Sequence, residues 1–100
     1  MGFFKSYSTI GKINNLLKEI ETKMNYVGAA IDTPYINRSQ VLQEITHIKL
    51  LMNDIVEAME DCGSNSVVLA SYRYHGQWMG LLQIVDIVKH QVMYAESKIN

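Results

Sequence analysis

The 100-residue chain is poor in the residues that usually announce chemistry: it has one cysteine, one proline, two arginines and three histidines. A lone cysteine, Cys62, excludes an intrachain disulfide and a thiolate zinc cluster. Nothing calls for an oxidising compartment, so the expected location is cytoplasmic. Blocks of like charge are also missing. Nine basic residues against ten acidic ones leave a net charge of −1, which offers no electrostatic footprint for a polyanion, and nucleic acid is not an expected partner. The longest stretch without a formal charge, residues 74–85, is too short to span a bilayer, and residues 1–7 lack the apolar run of a secretory signal. No membrane association is expected.

What is present is 48% apolar residue, spread with helical periodicity. A chain of this size buries about two-thirds of its open surface, enough for a single domain with one core over residues 1–100. Ile10, Ile13, Leu17, Ile20, Met24, Val27 and Ile31 recur with gaps of 3,4,3,4,3,4, one stripe of a helix over about residues 9–31. Pro34 denies the preceding residue its helical conformation and stops it. Asn37 then offers an N-cap, with Ile36 and Val41 as a hydrophobic staple. Val41, Ile45, Ile48, Met52, Ile55 and Met59 repeat the seam through a second helix, about 38–61, with Gly63 at its left-handed C-terminal cap.

After the turn chemistry of Gly63-Ser64-Asn65-Ser66, the series Tyr74, Trp78, Leu81, Val85, Val88, Val92, Ala95 and Ile99 predicts a third helix over about 67–98. Its first third is the weak point. Val67-Val68-Leu69 favours strand, and Gly76 and Gly80 each cost a helix roughly 1 kcal/mol relative to alanine. A kink there, or a split near Gly76 into four helices, is the expected variant. The fold class expected is therefore all-α, an antiparallel three-helix bundle. The third helix also carries more apolar residue than one partner face covers. Met79, Leu82, Ile87, Met93 and Tyr94 lie off the seam and mark an oligomer interface, so a homo-oligomer is expected.

Few constellations suggest catalysis. Glu44 and His47 have the Glu-x-x-His spacing of carboxylate metal sites, but both lie off the seam, and Asp86 and His90 form an i,i+4 pair without a third ligand. No Ser-His-Asp, Cys-His or paired-carboxylate arrangement shares an inferable face. Cys62 would sit at the negative end of a helix, which disfavours a thiolate. The chain is expected to have no metal, no cofactor and no enzymatic activity. Met1-Gly2 with Ser6 fits the loose N-myristoylation pattern, yet a single acyl chain needs a second membrane signal that the sequence lacks. Phe3 and Phe4 are equally well accounted for as a hydrophobic cap.

The densest functional chemistry lies in residues 72–78. Tyr72, Arg73, Tyr74, His75, Gln77 and Trp78 concentrate the only tryptophan, two of six tyrosines and one of two arginines, residue types that dominate binding hot spots. In helical geometry Tyr74 and Trp78 belong to the seam while Tyr72, Arg73 and His75 point elsewhere. The tripeptide Trp78-Met79-Gly80 resembles the Trp-x-Gly turn of the WXG family of small secreted helical hairpins, which have about this length. That family places its tripeptide at the central turn, whereas the central turns here are expected near Pro34 and Gly63, so the resemblance stops at three residues. The function expected is that of a non-enzymatic helical binding protein, a small adaptor, inhibitor or regulatory subunit docking a protein partner through residues 72–78. The alternative is a small nucleotide-like ligand bound or sequestered in clefts between subunits, and a third reading is a carboxylate/His metal protein.

Overall fold

The computed structural model describes residues 2–99, and side chains from Ser6 onward, so Phe3 and Phe4, the expected cap, lie outside the described side chains. In chain order the elements are α1 (Gly2–Ile31), α2 (Arg38–Cys62), α3 (Asn65–Leu69), β1 (Ser71–Tyr74), β2 (Gln77–Gly80) and α4 (Leu81–Ile99). The chain is mainly helical, as its periodicity requires. Among the described residues no helix is long and apolar enough to cross a membrane.

The first two helices follow the local signals closely. α1 ends at Ile31, three residues before Pro34. The Asn37 side chain accepts from the Gln40 amide at 3.1 Å, which satisfies one of the donors left open in a first helical turn. At the other end Gly63 takes φ +63° and its amide donates to the Met59 carbonyl, the left-handed stop that glycine permits. The two helices run antiparallel: Glu19 faces His47, Lys23 pairs with Glu44 at 3.0 Å, and Ser6 approaches Cys62. Their seams interlock as Ile13, Leu17, Ile20 and Val27 against Val41, Ile45, Ile48 and Ile55, all buried.

The third expected helix is not continuous, and the split is more than a kink. Val67-Val68-Leu69, which favours strand, forms part of the short helix α3, whose N-cap Ser64 accepts from the Ser66 amide. The expected helical seam at Tyr74 and Trp78 is instead a two-stranded antiparallel hairpin with Tyr72 opposite Met79, Arg73 opposite Trp78 and Tyr74 opposite Gln77. Its two-residue turn is His75-Gly76, at φ +49° and +79°. Positive φ at both positions is the geometry that matches the right-handed twist of paired strands. Two periodicities competed over residues 71–80, and the alternation of two ended the contest. Extended backbone sends both Tyr72 and Tyr74 into the core, whereas a helix buries only one of them.

The hairpin also absorbs the excess length of the C-terminal third. α4 then returns along the α1–α2 pair and buries Leu81, Ile84, Val88, Val92, Ala95 and Ile99. Lys49 of α2 pairs with Glu96 near the end of α4 at 2.8 Å, while Val56 and Val85 line one groove, so α4 runs antiparallel to α2 and parallel to α1. The molecule is elongated, 52 × 23 × 17 Å.

Candidate docking surface on the hairpin

Strand alternation separates Tyr72 and Tyr74 from Arg73 and Trp78 in the aromatic cluster. Tyr72 and Tyr74 point inward and are anchored at their tips. The Tyr72 hydroxyl donates to the Val67 carbonyl at 2.8 Å, and the Tyr74 hydroxyl donates to Gln91 Oε1 of α4 at 2.8 Å. Burial pushes the Tyr74 phenol up to about 12, with the Glu21 carboxylate adding to the effect. Tyr72 is raised for the same first reason, with Cys62 as the second. Neither ring is available to a partner; they are the pegs that hold the hairpin on the helices.

Arg73 and its cross-strand partner Trp78 face outward, while His75 lies in the turn and Gln77, though exposed, is on the face of its partner Tyr74. Trp78, expected in the core, is 68% exposed. The guanidinium of Arg73, its cross-strand partner, sits over the indole at 5.9 Å from the ring centroid. At that distance the cation is within reach of the ring's negative face, and its N–H groups can still donate to a carboxylate or phosphate. The turn is tied to α1 by the Glu21 carboxylate, which accepts from the His75 backbone amide. The His75 ring stands edge-on to Tyr74, with centroids 4.3 Å apart.

Arg73 and Trp78 share a concavity of about 430 Å³ with α1, lined by Asn14, Lys18, Glu21, Arg73, Gly76 and Trp78. Two cations, an indole and a primary amide converge there, and the one carboxylate is already engaged by the turn. The three α1 residues are polar positions outside the apolar stripe of that helix. Their spacing, 14, 18 and 21, places them on one stripe beside the seam, a signal that acquires meaning only once the hairpin is known to lie along it. A second cavity, of about 620 Å³, opens between α1 and α4 under the turn and is lined by Met24, Val27, Gly28, His75, His90 and Tyr94 among others.

The remaining candidates are dispersed. Glu44 is engaged by Lys23, His47 Nε2 lies 3.9 Å from Glu19, and His90 Nδ1 contacts both the Asp86 carbonyl and its carboxylate on an open surface. No three histidine, cysteine, aspartate or glutamate side chains are gathered as a metal set among the described residues. Of the off-seam apolar residues, Met79 and Ile87 are half-buried against the chain's own core, while Leu82, Met93 and Tyr94 remain exposed. Tyr94 lines the α1 side of α4 and Met93 the α2 side. The chain matches no known protein family, no curated protein and no solved structure.

Proposed function

We propose that this chain is a non-enzymatic, self-associating helical binding protein, a small adaptor, inhibitor or regulatory subunit, that docks a protein partner through the outward face of its hairpin. The observation that carries the reading is the exposed Arg73–Trp78 cation–π pair, beside Lys18, on a hairpin pinned to the helices by two buried tyrosines. Rigid presentation matters because side chains already ordered lose little freedom on binding. The chemistry selects a partner segment with a carboxylate for Arg73 and Lys18 and an apolar side chain for the indole.

Arg73→Ala and Trp78→Ala each remove a hot-spot contact, so each is expected to lower partner affinity by about 30-fold, roughly 2 kcal/mol, with unchanged helical circular dichroism. Tyr72 is not a fair test, since truncating it opens the core. Partner capture from native lysate that is undiminished by Trp78→Ala overturns the site.

One observation favours a second reading. The same concavity pairs two cations with an indole, which suits a nucleotide with its phosphate on Lys18 and Arg73 and its base on Trp78. A ligand at 100 times its dissociation constant stabilises a folded protein by about 2.7 kcal/mol. A thermal-shift response to nucleotides that disappears in Trp78→Ala supports this reading over peptide docking.

A further inference from the structure

We infer that a second copy of this chain packs antiparallel against α4, about a two-fold axis crossing that helix between Ile87 and Val88. The inference rests on the self-association included above and specifies its geometry. Leu82, Asp86, Lys89 and Met93 follow one another at gaps of 4, 3 and 4, which at 100° per residue keeps them within a sector of about 60°. All four are exposed, Leu82 at 59% and Met93 at 65%.

Read along the helix, the stripe is apolar, acidic, basic, apolar, a pattern that is complementary to itself when reversed. A two-fold axis at the stated point sets Leu82 against Met93 of the second copy and Asp86 against its Lys89, and symmetry repeats both contacts. A parallel arrangement sets Asp86 on Asp86 and Lys89 on Lys89, and like charges oppose it. Lys89 has no ion-pair partner among the described residues, and Asp86 has only the exposed His90 of its own helix. Beside the stripe runs a groove of about 480 Å³ between α2 and α4, lined by Met52, Val56, Val85, Val92 and Met93 and bordered by the Lys49–Glu96 pair. Its apolar floor suits Leu82 of the second copy as a knob.

Size-exclusion chromatography with light scattering tests the arrangement on the intact chain. The wild type is expected at twice 11.4 kDa at tens of micromolar. Asp86→Lys and Lys89→Asp each place two like-charge contacts in the interface and are expected to weaken the dimer about tenfold. Mixing the two variants restores association, because one copy then carries lysine at both positions and the other aspartate at both. In a Cys62→Ser background, Leu82→Cys mixed with Met93→Cys is expected to form a disulfide between copies, and Leu82→Cys alone is not. Circular dichroism of each variant controls for folding. A wild-type monomer at these concentrations overturns self-association altogether. A dimer that withstands both charge reversals, or that cross-links through Leu82→Cys alone, overturns this arrangement and leaves self-association standing.

Discussion

At the scale of single residues, the hairpin depends on atoms whose removal should be measurable. Tyr72→Phe deletes the hydroxyl that donates to the Val67 carbonyl and leaves that buried acceptor without it, so urea denaturation is expected to show a loss of about 1 kcal/mol. Gly76→Ala puts a Cβ into open space, and its cost comes from φ +79° alone, about 1 kcal/mol. His75→Asn relieves the other strained turn position, since asparagine tolerates positive φ, and is expected to raise the denaturation midpoint. The two inward tyrosines also set an alkaline limit. Their phenols ionise later in the folded chain than the ordinary value of 10.0, Tyr74 at about 12. Below pH 10 their neutral forms add full stability. As pH climbs from 10 toward 12 the unfolded chain releases protons that the native chain retains, and stability falls. Thermal melts across that window should show the decline, and Tyr74→Phe should flatten part of it.

At the scale of elements, the helix boundaries are held by caps and the hairpin by what lies beneath it. Asn37→Ala removes the acceptor for the Gln40 amide and should cost about 1 kcal/mol, near 4–8 °C in melting temperature for a domain of this size. Both caps and the Pro34 stop were legible because each acts within a few residues. The hairpin was not. Residues 71–80 satisfy a helical spacing through Tyr74 and Trp78 and a strand spacing through Tyr72 and Tyr74, and local sequence ranks neither above the other. Burial of both tyrosines together, with Met79 half-covered on the facing strand, favours the strand, because each large apolar side chain fully buried contributes about 1.5–3 kcal/mol.

At the scale of the whole molecule, α4 buries Leu81, Ile84, Val88, Val92, Ala95 and Ile99 and leaves Leu82 and Met93 exposed. A dimer formed there makes stability depend on concentration. The melting temperature is expected to rise with protein concentration in the wild type, and Asp86→Lys is expected to need about ten times the concentration for the same rise. Partner capture by the hairpin face should survive in that same variant, since the Arg73–Trp78 pair lies on a different element.

Periodicity, caps and the single proline determined by themselves that this chain would be mostly helix, and where α1 ends and α2 begins. They act through neighbours a few positions apart, so a linear reading captures them. Only the tertiary structure decided that Trp78 faces outward, that Tyr72 and Tyr74 are pegs, and that Asn14, Lys18 and Glu21 stand beside Arg73. Those outcomes turn on which backbone period buries more surface against two helices lying tens of residues away, a comparison that exists only in the folded chain.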